Sequence, residues 1–480
     1  MKKPIAILEK TPFAIDPVPM EGCHSARAGA GLTTRIFRSF KLPASCEANL
    51  LHHRCTSKDF SVAEHVESLC TALLLGIERL EDVDEMRDDD GLTRIAGYQA
   101  PSARASRDFL EKFHDPDLVE AARQSALEQQ LLAYIPESND MLAGLGRVLG
   151  SSARQCAKAG TPPLTRATVD ADATVVESGK SSAAFAYTGV RGYQPAVAMW
   201  AEADAVLAVE FRDGNVPARY QPLNVVKSAF SQLPGNVDFL AFRGDSAFYE
   251  RELIGWLCDQ TRPDGPEGRI EFAISAVMGK ELHACCKRLG DSQWTTFATE
   301  KNGVLRQWAE LAYVPSQTYE QKDSRPLRYV GLRLVKPQGE LFDDGAQFKH
   351  IAICTNRTLP AVELIDWHRA KAGTIEHVHD ELKNALAAAA MPSQLFGANA
   401  AWFTINCLAY NIASSIRAAV TDDNLRTARI KRLRLYLLNI AGRIVRDRRK
   451  IRLRLAATAE RIALLIALFE KFPLRTVATG

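Results

Sequence analysis

The sequence predicts an α/β protein, with helical segments before the sheet and a basic, helical segment after it. Three observations carry this reading. Between 168 and 277, apolar runs alternate in character in the order strand, strand, helix, strand, helix, strand. Residues 291–356 are strand-rich again, through WTTFATE, PLRYVGLRLV and HIAICT. Helical spacing governs residues 61–113 and returns from Pro360 to the end, with Gly373 interrupting the first of those helices.

Residues 1–59 carry Pro and Cys with little periodicity and match no fold. Cys23, His24, Cys46, His52, His53 and Cys55 are zinc-ligand types, but no Cys-x-x-Cys pair supports a finger. From Ser61 to about Leu80, Val62, Val66, Leu69, Leu73 and Ile77 recur at helical spacing. A second amphipathic piece, Gly91–Ala96, is broken by Gly97-Tyr98-Gln99-Ala100-Pro101. Ser102 then caps a helix that turns Phe109, Leu110 and Phe113 inward. With Arg104 and Arg107 on the outer face of its second helix, this pair fits either a DNA-reading helix-turn-helix or an ordinary helical hairpin.

In TVDADATVVES, residues Val169, Ala171, Ala173 and Val175 alternate with Asp170, Asp172 and Thr174, as in a strand with two distinct faces. Residues 192–216 read as two strands joined near Glu202–Asp204, followed by a helix around Pro222–Phe230. Then come a strand ending at Asp245, a helix FYERELIGWLCDQ and a strand RIEFAISAVM. No repeat of 20–50 residues is visible, which sets solenoids aside.

Composition bounds the function classes. Of 480 residues, 46% are hydrophobic and 24% charged, so a disordered chain is excluded and more than one domain is expected. The longest strictly apolar run, Ile462–Phe469, is far short of the roughly 20 residues of a membrane span, so no membrane partner is expected. The first residues, broken by Glu9, Lys10 and Pro12, do not read as a secretory signal. Ten scattered cysteines fit reduced thiols and a cytoplasmic location. The net charge of +3 conceals an asymmetry: residues 421–480 hold fifteen Lys and Arg against five acids, a net of +10, leaving −7 for the rest. A basic end on an acidic body points to a polyanion such as nucleic acid, or else to a solvated helix face over Leu433, Leu435, Leu437, Leu438, Ile440, Ile444 and Val445.

Three acids sit at the edges of predicted elements. Asp172 lies in an apolar strand, where a carboxylate needs a partner or a metal, and Asp170 shares its face. Asp245 closes the strand FLAFRGD, at the strand end where α/β sheets place ligands. Glu376 opens a helix that carries Asp380 and Lys383 on the same face. Carboxylates drawn from two strands and a helix are the oxygen donors that two hard divalent cations require for in-line phosphoryl transfer. Ordinary turn and cap residues would give the same spacing. No Gly-rich phosphate loop is present, which argues against ATP hydrolysis.

The strings TVDADATVVES, FLAFRGDSAFYERELIGWL, KAGTIEHVHDELKNAL and FGANAAWFTINCLAYNI, in this order, resemble bacterial insertion-sequence DDE transposases. They are most similar to the group numbered thirteen-eighty among insertion sequences. GLTRIAGYQAPSARASRDFL and RTARIKRLRLYLLNIAGRIVRDRRKIRLRLA resemble that group's flanking regions, so the likeness spans roughly residues 60–455. The resemblance implies an RNase H-like mixed-sheet core of the retroviral-integrase superfamily, with catalytic Asp172, Asp245 and Glu376 holding two Mg²⁺ ions, or Mn²⁺ in their place. Asp170, Lys383 and Lys371 are supporting candidates. Asp172 and Asp245 are 73 positions apart, and Asp245 and Glu376 131, so a strand-rich insertion between Val277 and Asn356 is implied. Of the superfamily's Tyr-Arg-Glu-Lys signature, Lys383 fits the Lys, while Ala372 and Arg369 hold the Arg and Tyr positions. Lys371, one residue off register, is the candidate for the missing phosphate contact.

The implied organisation is an N-terminal region at 1–60 and a helical DNA-binding domain at 61–160. The core's first part is 161–277, the insertion 278–356, the core's last part 357–415, and the basic helical C-terminal region 416–480. The implied reaction is metal-dependent cleavage of double-stranded DNA at terminal inverted repeats, then strand transfer into target DNA, by a homodimer on DNA at the bacterial nucleoid. Arg104, Arg107, Arg448, Arg449 and Lys450 are the candidate DNA contacts. A catalytically silent DNA-binding regulator, a decayed transposase and a related RNase H-like nuclease are the competing readings. Trp294 and Trp308 fall in the insertion, either stacking on a flipped base or, as is commoner for Trp, packing in the core. His379, one turn after Glu376, could reach the acids or lie on a surface face.

Overall fold

The computed structural model describes residue 18 and residues 20–50, 60–159, 164–315, 327–337, 341–342, 345–447 and 450–474. A short strand β1 (Cys23–Ser25) leads into α1 (Gly31–Ser39), α2 (Leu42–Asn49), α3 (Val62–Leu75), α4 (Asp84–Arg87), α5 (Asp90–Ala96), α6 (Ala103–Glu111), α7 (Pro116–Glu128) and α8 (Asp140–Ala159). Local caps set the helix ends, and the one read from sequence, Ser102, is present. Ser61 accepts from the Glu64 amide while the Glu64 carboxylate accepts from the Ser61 amide, a reciprocal box that starts α3. Gly76, at φ 90°, ends that helix in the left-handed conformation that L residues avoid. Ser102 accepts from the Ala105 amide and opens α6.

The sheet is built from β2 (Arg166–Ala173), β5 (Ala196–Trp200), β6 (Ala205–Glu210), β7 (Phe239–Gly244), β8 (Ile270–Ser275), β9 (Thr295–Thr299), β10 (Leu305–Leu311), β11 (Arg328–Val335) and β12 (Phe348–Thr355). A two-stranded ribbon, β3 (Val176–Glu177) with β4 (Gly192–Tyr193), stands beside it. The nine strands run in the order β6-β5-β2-β7-β8-β12-β11-β10-β9. β2, β7 and β8 are parallel neighbours, and every other pairing is antiparallel. Helices α9 (Leu223–Ser231) and α10 (Arg251–Cys258) make the crossovers between the parallel strands, as that geometry requires. After β8, α11 (Lys280–Arg288) leads to β9, and the strands expected in the 278–356 stretch continue this same sheet past β8.

After the sheet come α12 (Ala361–Arg369), α13 (Ile375–Asn384) and α14 (Phe396–Ala419), the last buried along nearly its whole length. A helix apolar on all sides belongs in a core, and α14 packs against α3, α8 and β6. Its Asn411 also covers the outer edge of the sheet: the side chain accepts from the Val206 amide at 2.7 Å and donates to the Val206 carbonyl at 2.9 Å. An amide side chain thus takes the place of a further strand.

The C-terminal segment corrects one expectation. It is helical at α15 (Asp423–Arg426), α16 (Ile430–Leu433) and α17 (Ala459–Lys471), but β13 (Gly442–Asp447) and β14 (Lys450–Leu455) form a hairpin between them. β13 also pairs with β1, joining the two ends of the chain. The reason is the period-two alternation of Ile451, Leu453 and Leu455 with Arg452 and Arg454, which a helix could not sort onto two faces. Leu435, read as core-facing, is 73% exposed.

Candidate active site

The carboxyl ends of the adjacent parallel strands β2 and β7 bring the first two acids together. Asp172 is the penultimate residue of β2, and Asp245 follows β7 directly and caps the short turn Ser246–Phe248 through the Ala247 amide at 3.0 Å. Gly244 permits that turn, since a Cβ there would lie 2.7 Å from Cβ of Phe248. Asp172 Oδ1 accepts from the Ala173 amide at 2.9 Å, and its Oδ2 faces Nζ of Lys371 at 3.6 Å and Nε2 of His379 at 3.9 Å. Burial pushes the Asp245 carboxyl up from its ordinary value. The Lys371 ammonium opposes that shift and the Asp172 charge adds to it, so the two acids sense each other and the same cation.

Asp170 has a different role from its neighbour. It is fully buried, and the Arg243 guanidinium grips both its oxygens, Nε at 2.6 Å and Nη2 at 2.7 Å. The Thr374 hydroxyl donates to it as well and also bonds the Lys371 carbonyl at 2.9 Å. Arg243 further donates to the Trp367 carbonyl at 2.7 Å and lies over the Trp367 ring. β2, β7, α12 and the turn Ala370–Gly373 are therefore tied through one ion pair.

Helix α13 turns Glu376, His379 and Lys383 toward one side, as a spacing of three and four residues demands. Lys383 Nζ donates to Thr174 Oγ1 at 2.5 Å, just beyond β2. His379 is buried with no hydrogen-bond partner on either ring nitrogen, and burial holds its imidazole down to about 3. Burial likewise lowers His368, whose Nε2 lies 3.1 Å from the Gly244 carbonyl, to about 4. Glu376 is exposed at the start of the helix. Among the described residues, no three His, Cys, Asp or Glu side chains gather closely enough to hold a metal ion. The structure thus joins Asp172, Asp245, Lys371, His379 and Lys383, and leaves Glu376 on the open side.

A family model described as transposase DDE domain group 1 matches residues 22–475. The chain belongs to that family. At the carboxyl ends of its parallel strands stand Asp172 and Asp245, next to a buried His379 whose ring nitrogens have no hydrogen-bond partner. Among solved structures, it is similar to a piggyBac transposase synaptic complex with hairpin DNA. The identity is 9% over 85% of this chain and 80% of that chain, with a TM-score of 0.39. No curated protein matches.

The other candidates are placed as follows. Arg104 is exposed, whereas Arg107 is ion-paired with Glu81. Arg448 and Arg449 lie outside the described residues, and Lys450 is paired in register with Asp447 at the tip of the hairpin. Trp294 is buried beneath the Arg333 guanidinium, and Trp308 packs partly buried against a small apolar cluster, so the core reading of both holds. Cys46 is buried and Cys23 lies in β1, while His52, His53 and Cys55 lie outside the described residues. No helix among the described residues is long and apolar enough to cross a membrane. Sequence reasoning missed Arg243, Thr374 and His368 as parts of the site. Their only signal was adjacency to the acids and to Gly373.

Proposed function

We propose that this transposase binds double-stranded DNA and breaks phosphodiester bonds at the ends of its element by metal-dependent phosphoryl transfer, then joins those ends to target DNA. The observation that carries the reading is the placement of Asp172 and Asp245 at the carboxyl ends of neighbouring parallel strands, with Lys371 Nζ 3.6 Å from Asp172. Asp172 and Asp245, with Glu376 brought in from the open face, would hold Mg²⁺ or Mn²⁺. Bound there, such ions supply activation of the attacking oxygen and charge stabilisation of the leaving one.

The chain's own residues supply position. The Asp170–Arg243–Thr374 cluster fixes the end of β2 against β7 and against the turn before α13. Lys371 and Lys383 bring two ammonium groups to the same end of the sheet, where phosphate oxygens are to be received. The neutral His379 closes the inner wall of the site. Arg104 and the basic hairpin carry contacts to DNA outside it, and two copies of the chain hold two ends.

The test is a cleavage and strand-transfer assay on DNA carrying the flanking ends, with Mg²⁺ or EDTA. Asp172→Ala, Asp245→Ala and Glu376→Ala are expected to bind DNA like the wild type and to cut less by about a thousandfold or more. Full cutting by Glu376→Ala would remove that residue from the ligand set. Binding without cutting by the wild type would replace the enzyme reading with that of a DNA-binding regulator.

A further inference from the structure

Phe185 and Tyr187, 59% and 82% exposed, are the two most exposed aromatic side chains among the described residues. Both stand on the loop between β3 and β4, a ribbon that begins four positions after Asp172. The ribbon is anchored at the end of β2: the Thr174 amide donates to the Pro195 carbonyl at 3.1 Å, and the Thr174 hydroxyl accepts from Lys383. The loop itself is a bonded frame. Arg191 donates to the Ser181 carbonyl at 2.7 Å and to the Ala183 carbonyl at 2.9 Å, and its guanidinium lies 4.7 Å from the centre of the Phe185 ring. The Ala184 amide donates to Asp213 at 2.8 Å. At the tip, the Ala186 amide donates to the Val190 carbonyl at 2.8 Å and the Gly189 amide to the Ala186 carbonyl at 2.9 Å, with Gly189 at φ 80°. The turn that carries Tyr187 is thus fixed, and its ring is held in solvent.

We propose that Tyr187, together with Phe185, is a stacking platform for an unpaired base of the DNA strand beside the bond being cut. This inference rests on the reading of the chain as an enzyme that cuts DNA at the Asp172 end of the sheet. A base that leaves the duplex near a reacting phosphate loses its stacking neighbours, and an aromatic face replaces them. The charge of the loop fits such a strand: between the two strands of the ribbon, residues 178–191 hold Lys180 and Arg191 and no acid. Rings set among cations receive a single strand with base on ring and phosphate against charge. A second copy of the chain is a poorer fit, because two rings of about 150–250 Å² each fall short of the roughly 1,000 Å² that a stable protein interface buries. The tryptophans of the large sheet do not compete for the role, since Trp294 is buried and Trp308 packs against an apolar cluster.

The experiment measures binding of the full chain, in EDTA, to a duplex carrying the flanking ends, by fluorescence anisotropy. The duplex is either fully paired or has the last few nucleotides of one strand unpaired, with or without their bases. Wild type, Tyr187→Ala, Phe185→Ala and Tyr187→Trp are compared. The wild type is expected to prefer the unpaired end, and Tyr187→Ala to lower that preference by about fivefold to a hundredfold, the range of one base–aromatic stack. Tyr187→Trp should keep it. Phe185→Ala should lower it less, because Arg191 already covers one side of that ring. Removing the bases should lower the wild-type preference by the same factor and leave that of Tyr187→Ala unchanged, a result that a merely structural role would not produce. A preference in Tyr187→Ala equal to that of wild type, or a deficit that persists on the end without bases, overturns the inference. So does a wild type that binds DNA with no preference for the unpaired end, and the transposase reading then stands. If Tyr187→Ala keeps the preference while sedimentation shows a smaller assembly, the tip is a contact between copies and the inference fails. A wild type that binds neither duplex would instead overturn the DNA-cutting reading beneath it.

Discussion

Replacing Asp170 by Ala separates a scaffold carboxylate from the proposed ligand carboxylate on the same strand. Asp170 is fully buried, and Arg243, whose side chain is 5% exposed, gives it two charge-assisted bonds. Removing the acid leaves a guanidinium buried against only the Trp367 carbonyl and ring, and leaves the Thr374 hydroxyl without its carboxylate. Breaking a buried pair from one side costs about 3–5 kcal/mol, much of it the desolvation of the charge left behind. Asp172→Ala behaves differently. That carboxylate is 20% exposed, its nearest cation is 3.6 Å away, and its loss relieves the repulsion felt by Asp245, so the expected change is within about 1 kcal/mol. Urea unfolding read at constant slope gives both numbers. The double variant Asp170→Leu with Arg243→Met should recover most of the loss, because it removes both charges instead of orphaning one. If Asp170→Ala unfolds like wild type yet no longer cuts DNA, while Asp172→Ala is the unstable protein, the two roles have been assigned the wrong way round.

Three further outcomes are expected. His65 stacks on Phe109 at 4.5 Å and burial lowers it to about 4; held neutral in the fold, it contributes stability that is complete above about pH 6.5 and is lost as pH falls toward 4. His65→Phe should flatten the stability–pH curve in that window by about 3 kcal/mol, and an unchanged curve would assign the acid sensitivity elsewhere. Asn411→Ala leaves both backbone groups of edge residue Val206 unpaired in the core, and it should lower the unfolding free energy by about 2–4 kcal/mol in the same urea titration. Neutralising Arg448, Arg449 and Lys450 together should weaken DNA binding and reduce the salt slope by up to about three phosphate contacts, measured by fluorescence anisotropy across salt. An unchanged slope would mean that these three cations are only solvated.

What the sequence disclosed was whatever depends on near neighbours. The succession of strands and helices through the core follows from local periodicity, and Ser102 is punctuation that acts within one helical turn. Asp172 and Asp245 were visible because a carboxylate in or just after an apolar strand is conspicuous. The hairpin at Gly442–Leu455 was harder to see, because the apolar residues of 433–445 also fit a helical face and the deciding partner, Cys23, is almost the whole chain away. Strand pairing depends on register between distant segments, and no window of sequence contains it. The Asp170–Arg243 pair spans 73 positions and was hidden for the same reason. The position of Glu376 on the open side could not have been read at all, since helical spacing puts it on the correct face without saying how far out that face lies.

The choice of cation beside each acid sets two aspartates on one face of β2 in different surroundings and supports the different roles proposed for them. Arginine presents a planar fork that meets both oxygens of a carboxylate at once, and its charge cannot be titrated away. Asp170 is gripped in that manner, with its remaining capacity taken by Thr374, so nothing is left for a ligand to bind. Lysine presents a point charge on a flexible stem, which neutralises a carboxylate without claiming its geometry. Asp172 Oδ2 faces Lys371 at 3.6 Å and His379 at 3.9 Å, with neither close enough to claim its geometry. An acid held by arginine is committed to the fold, whereas an acid faced by lysine is committed to nothing until something with a stronger claim arrives. On this argument the boundary between scaffold and chemistry falls within the three residues Asp170-Ala171-Asp172, and it is drawn by the side chains opposite them, not by the strand itself.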